Sequence, residues 1–273
     1  MRLGVHLPQF RLPTTGKAIA RFARVAEDAG VDDLWVSDHV ALAPGSTRPP
    51  AHFHEALTVL TWAGAATERI GLGTSVLVAP YRNPVVLAKA LASLDSLSDG
   101  RVIAGLASGW LAPEFAALNV PFRRRGSLTD ETIGICRALW SGATAYSIGG
   151  RTIQNTGLAP LPARPGGPPI WVGGNSDAGI QRAVRFADGW HTTVSAPDAL
   201  TERLAVLDGA LSVAGRDRAS CAVSVRVRAT SAELAVLVPR WRGLGVDHVL
   251  VDHPDIVPQD LPGELVRLRA IVV

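Results

Sequence analysis

The 273 residues include 27 lysines and arginines against 24 aspartates and glutamates, a net charge of +3; 47% are hydrophobic and 19% charged. That hydrophobic share supports a substantial core and excludes a disordered chain. The small net charge, with Arg123–Arg124–Arg125 as the longest basic run, gives no footing for nucleic acid. Cys136 and Cys221 lie far apart, form no metal-ligand spacing and are expected to be reduced core residues, so no metal is expected. No apolar run approaches the roughly 20 residues of a membrane span. The N-terminus turns polar at Gln9 and Arg11, so no signal peptide and a cytoplasmic location are expected.

Taken in order, Leu3–Leu7 reads as a strand and 17–29 as an amphipathic helix, with Ile19, Phe22, Ala26 and Ala29 on one face and Gly30 as its stop. Asp33–Val36 is a buried strand that leaves through Ser37–Asp38–His39. Helix 54–67, strand 70–78, helix 85–97, strand 101–107 and helix 127–141 follow. Beyond a loop at 142–168 come strand 170–172, a helix carrying Ile180, Ala183, Val184 and Ala187, and strand 189–194. Helix 198–214, strand 221–228, helix 231–243, strand 246–251 and a last helix near 260–270 complete eight strand-helix units. That count predicts an α/β fold, a (β/α)₈ TIM barrel forming a single domain over residues 1–273.

In such a barrel the C-terminal ends of the strands form the active face. Asp38 and His39 stand there, and an imidazole that titrates near neutrality suits proton transfer. Of the other histidines, His191 shares the strand-end position but reads as structural or ring-edge, and His6 is placed to face the interior. His52, His54, His248 and His253 carry no comparable case. The loops 40–53, 108–126 and 142–168 are long enough to serve as lids or binding segments.

A second candidate is Pro169–Ile170–Trp171–Val172–Gly173–Gly174–Asn175–Ser176. Paired glycines where a strand hands over to a helix permit close backbone approach, and the helix start offers unpaired N–H groups and a positive dipole end to an anion such as phosphate. Asn175 or Ser176 can cap the helix. A tight connection that needs no ligand explains the same residues.

The sequence resembles the bacterial luciferase-like monooxygenase superfamily, and within it the deazaflavin (coenzyme F420) dependent oxidoreductases. The likeness rests on Glu27–Gly30 with Leu34–His39, on Leu72–Leu77, on Pro84–Leu97 with Asp99–Arg101 and Gly105–Trp110, on Pro168–Gly174, and on Ala187–His191. It implies a luciferase-like TIM barrel that transfers hydride between F420 and a small organic carbonyl, alcohol or enone. His39 would be the acid/base, with Asp38 beside the reactive ring. A non-proline cis peptide at Ser75–Val76 would support one face of the ring. Gly109, Gly173, Gly174 and Asn175 would complete the cofactor contacts.

Two departures separate the chain from the family's sugar-phosphate dehydrogenase. Trp110 stands where that enzyme places an acidic residue, the nearest carboxylate being Glu114, and Leu42 and Ala43 occupy the loop where it carries a tryptophan. Both argue against sugar-phosphate oxidation. No long insertion occurs near strand seven, so the substrate side would be open or closed by a partner subunit in a homodimer. An FMN-dependent monooxygenase served by a separate reductase, and a non-catalytic paralogue that only binds deazaflavin or flavin, are the rival readings.

Overall fold

The computed structural model describes residues 1–10, 14–252 and 260–273, so Arg11 and His253 lie outside the described residues. Its strands are β1 Arg2–His6, β2 Asp33–Val36, β3 Gly71–Thr74, β4 Leu77–Val78, β5 Val102–Ala107, β6 Tyr146–Ile148, β7 Arg151–Ile153, β8 Ile170–Gly173, β9 Gly189–Thr192, β10 Ala222–Val227 and β11 His248–Val251. Its helices are α1 Gly16–Asp28, α2 Ala56–Gly64, α3 Pro84–Leu97, α4 Ala112–Ala117, α5 Arg125–Trp140, α6 Asp177–Phe186, α7 Pro197–Val213, α8 Ser231–Gly243 and α9 Leu261–Val272. Every strand except the β6–β7 hairpin joins one parallel sheet, which closes because β1 pairs with both β2 and β11 while β3 and β4 both pair with β5. Counting β3 and β4 as one interrupted stave, the nine strands of that sheet form the eight staves of the expected barrel.

Strand alternation divides the apolar residues into two sets. Leu3, Val5, Leu34 and Val36 pack with Ile19, Phe22, Leu60 and Leu265 from the surrounding helices. Trp35, Ile103, Trp171 and Leu250 pack with one another inside the barrel. The two indoles fit because neighbouring strands present glycine. A Cβ on Gly73 would lie 2.4 Å from Trp35, and one on Gly189 would lie 2.7 Å from Trp171. Indoles of this size bury about 150–250 Å² each, an upper bound of about 4–6 kcal/mol apiece.

The structure departs from the sequence reading in three places. The stave that the residues alone read as one strand over 70–78 leaves the ladder at Ser75 and Val76, where the resemblance implies a bulge and where backbone groups find other partners. Ser75 N–H donates to Val36 O at 2.7 Å, and Ser75 O accepts from Arg226 Nη1 at 2.8 Å and from Ser37 Oγ at 3.2 Å. Loop 108–126 contains α4 and a 3₁₀ turn, Phe122–Arg124, both too short to produce a helical period. Loop 142–168 contains the β6–β7 hairpin, turned by Gly149 and Gly150 at φ 60° and 78°, the positive values that a two-residue hairpin turn of this kind requires.

The Asp99–Gly100–Arg101 piece of the resemblance has a structural task. The Arg101 guanidinium donates to the carbonyls of Ser98, Ile70, Gly64 and Thr67, tying α2 and α3 to the start of β5.

Candidate active site

β2 delivers Asp38 and His39 to the C-terminal end of the barrel, as their sequence position implies. Asp38 is buried and its carboxylate is taken up within the protein. It accepts from Arg82 Nη1 at 2.6 Å, from Arg82 Nη2 at 2.9 Å and from Val78 N–H at 2.9 Å. Arg82 also donates to Glu55 at 2.6 Å, the residue that caps α2. Burial works against the guanidinium charge, but pairing with Asp38 and Glu55 outweighs it and raises Arg82 above its ordinary range. Asp38 therefore contributes to the site by fixing segment 78–82 against the end of β2.

His39 points to a different carboxylate. Its Nδ1 lies 2.7 Å from Glu114 Oε2, on α4, and its side chain is 14% exposed. Glu114 Oε1 accepts from the N–H groups of Val40 at 2.7 Å and Ala41 at 3.1 Å, while Tyr81 O–H donates to Oε2 at 3.1 Å. Burial first, then the charge of Glu114, raises the Tyr81 phenol well above its ordinary value, so it stays a donor. With Nδ1–H directed at the carboxylate, His39 keeps Nε2 for a proton on the open side. The rings of Phe53 and Trp110 stand edge-on to the imidazole at 5.3 and 6.3 Å, and Trp110 is 64% exposed. Nothing in the sequence marks Glu114, Tyr81 or Arg82 as site residues, Glu114 standing out there only as the carboxylate nearest Trp110.

The break in the third stave forms a floor beside them. The Ser75–Val76 peptide is cis. Val76 faces β8, where a Cβ on Gly173 would come within 2.9 Å of Val76 Cγ1 and 3.4 Å of Ala107. Ser75 Oγ lies 2.8 Å from His191 Nε2 and also receives Arg226 Nη1 at 3.2 Å. Burial, followed by the nearby His248 and the Arg226 charge, holds His191 well below its ordinary value. Gly109 takes φ 76°, and a Cβ there would strike Val78 at 2.6 Å and Phe115 at 3.0 Å, so close packing alone calls for glycine.

At the turn into α6, Ser176 takes the cap, accepting from Gly179 N–H at 3.3 Å. Gly174 takes φ 150°, and a Cβ there would lie 3.3 Å from Gly179 Cα. The Asn175 side chain binds back to the end of β9, donating to Thr193 Oγ1 at 2.7 Å and accepting from Thr192 Oγ1 at 2.8 Å. Its amide holds the turn in shape over the first N–H groups of the helix.

The sequence profile of the luciferase-like monooxygenase family matches residues 1–236. The chain belongs to the luciferase-like monooxygenase family. It is thus an enzyme of an oxidoreductase family. An uncharacterized protein of Mycobacterium tuberculosis (strain ATCC 25618 / H37Rv) is 31% identical over 265 residues, 92% of this chain and 92% of the relative. An F420-dependent glucose-6-phosphate dehydrogenase of Microbacterium testaceum is 35% identical over 208 residues, 72% of this chain and 59% of that one. A solved F420-dependent secondary alcohol dehydrogenase, in complex with an F420-acetone adduct, shares the fold with a TM-score of 0.82 at 18% identity, covering 100% of this chain and 99% of that one. Among the described residues no group of histidine, cysteine, aspartate and glutamate is arranged to hold a metal, and no helix is long and apolar enough to cross a membrane.

Proposed function

We propose that the chain is a coenzyme F420-dependent oxidoreductase that exchanges a hydride with a small organic carbonyl, alcohol or enone. The observation that carries this reading is the His39–Glu114 pair at the end of β2, set beside the floor made by Ser75, Val76 and Gly173. The residues present fit a planar ring. Val76, Ala107 and the bare Cα of Gly173 form a small apolar surface, kept flat because a Cβ on Gly173 would come within 2.9 Å of Val76. The opening turn of α6 is available to an anionic tail. When bound, the deazaflavin supplies a carbon that carries hydride.

What remains for the protein is to orient the substrate and to move a proton. His39 Nε2 gives a proton to a carbonyl oxygen, or takes one from an alcohol, while Glu114 holds the opposite nitrogen and stabilises the charged ring. Phe53 and Trp110 stand edge-on to that imidazole and limit how far it can turn. Relatives named as F420-dependent enzymes support the choice of cofactor. Titration of purified protein with each cofactor, followed by absorbance and fluorescence, tests it. Micromolar or tighter binding of F420 is expected, about −8 kcal/mol or better, with FMN at least tenfold weaker. Equal or tighter binding of FMN overturns the assignment.

A further inference from the structure

A line of buried polar groups runs through the barrel from the active face to its opposite end. Ser75 Oγ is 2.8 Å from His191 Nε2, His191 Nδ1 is 2.8 Å from Ser224 Oγ, and Ser224 Oγ is 2.7 Å from His248 Nδ1. His248 Nε2 then lies 3.4 Å from Asp33 Oδ2, and Asp33 Oδ1 accepts from Arg2 Nη2 at 2.5 Å. Every member from Ser75 to Asp33 is buried, whereas the Arg2 side chain is 54% exposed at the far end. Strand register sets the line, since Ser224 is level with both His191 on β9 and His248 on β11. Barrel interiors are ordinarily filled with branched apolar side chains. Here Trp35, Trp171, Ile103 and Leu250 provide that filling, and polar groups that packing alone does not call for stand among them.

The direction of the donors follows from the active-face end. Ser75 Oγ already accepts from Arg226, so its hydrogen turns to His191 Nε2. A neutral His191 that accepts on Nε2 carries its proton on Nδ1 and donates to Ser224 Oγ. The Ser224 hydrogen is then directed to His248 Nδ1, which leaves the His248 proton on Nε2, facing the Asp33 carboxylate. Reversing every donor would turn a bare nitrogen lone pair toward that carboxylate.

We propose that this line is a proton exit path from the active face to Asp33. A proton reaching Ser75 Oγ releases the serine's own hydrogen to His191 Nε2. His191 Nδ1–H passes to Ser224, Ser224 O–H to His248 Nδ1, and His248 Nε2–H to Asp33. Each link breaks one O–H or N–H bond and makes another, nothing is oxidised or reduced, and the carboxylate, itself buried, returns its proton to solvent when the half-exposed Arg2 side chain that covers it moves aside. The 3.4 Å step exceeds a hydrogen bond and is where the imidazole must move. The ring rests against the bare Cα of Gly4, where a Cβ would come within 2.8 Å of His248 Nε2 and 2.4 Å of Trp35 Nε1, so any larger residue there would displace it. Carbonyl reduction needs one proton delivered to the substrate oxygen and one taken from the hydride donor. His39 serves the first need and this line the second, an assignment that rests on the reading of the previous section.

Nitrogen-15 NMR of the ligand-free protein, labelled at histidine, tests the path without any cofactor. The expected result is opposite tautomers, His191 protonated on Nδ1 and His248 on Nε2. Asp33→Asn should shift the His191 ring nitrogens, and the response should vanish when Ser224→Ala is added. The reverse tautomers in the wild-type protein, which need no variant to detect, overturn the path; so does a His191 signal indifferent to Asp33→Asn. In single turnover with reduced F420, Ser224→Ala should slow the reaction at least tenfold and leave cofactor affinity unchanged. An unaltered rate also overturns the path. A protein that binds no F420 defeats the proposed function instead and leaves the NMR result to decide the path.

Discussion

The Nδ1 atom of His39 and the Oε2 atom of Glu114 lie 2.7 Å apart, and the other oxygen of that carboxylate holds the N–H groups of Val40 and Ala41. One side chain of α4 thus fixes both the ring and the backbone that follows it. In Glu114→Gln an amide N–H₂ turned toward Nδ1 would favour the wrong tautomer, and the stabilising charge is lost in any case. Turnover should fall about 10²-fold, with F420 affinity kept within a few-fold. Steady-state kinetics beside a cofactor titration checks both.

His39→Ala should bind F420 normally and lose turnover by about 10²–10⁴-fold, the usual contribution of a general acid–base group. Added imidazole should restore part of the rate. Single-turnover measurement keeps slow product release from masking the effect. A wild-type rate of hydride transfer in this variant at every pH would remove His39 from the chemistry.

Asp38→Ala should act on stability before chemistry. It removes both partners of a two-pronged contact and leaves the Arg82 cation, 15% exposed, to Glu55 alone. Breaking a buried pair in this way costs about 3–5 kcal/mol. A matching fall in the urea midpoint at unchanged slope would show it.

The low pKa of His191 gives stability a pH dependence of known sign. Burial, with His248 and Arg226, keeps the folded ring neutral, while the unfolded chain protonates near 6.5. Below that pH the unfolded state binds the extra proton, so this contribution is complete above about pH 6.5 and is lost as pH falls toward the folded value. The slope approaches about 1.4 kcal/mol per unit. Unfolding free energies of wild type and His191→Gln, compared between pH 7 and 5, should diverge in that direction.

Both thiols should be silent in the native protein. Cys136 is fully buried and burial pushes its pKa up to about 12, and burial likewise raises Cys221. A chromogenic disulfide reagent should react with neither until guanidinium unfolds the chain, and then with both.

Element type and order were legible because apolar residues recur with period 2 or 3.6 along nearly every stave and helix. The end of β2 was legible for the same reason, since Asp38 and His39 follow directly on a buried run. Glu114 as the partner of His39 was not. It sits on a six-residue helix, 75 positions from His39, and no local period reports which carboxylate folds back onto a given imidazole. His248 looked inert because its strand is otherwise apolar; its partners, Ser224 and Asp33, come from other strands and are set by register alone. The likeness pointed to Ser75–Val76, but nothing in the apolar run 70–78 foretold that the ladder would stop there.

The indoles of Trp35 and Trp171 facing Gly73 and Gly189 make the barrel interior a matter of exchanged volume. Neither glycine can grow while the indole opposite keeps its size, and neither indole can shrink without opening a void of tens of cubic ångströms. Substitution at these four positions should therefore be tolerated in opposed pairs, one partner enlarged as the other is reduced. A library that varies them singly would discard the alternative interiors that one varying them together would recover.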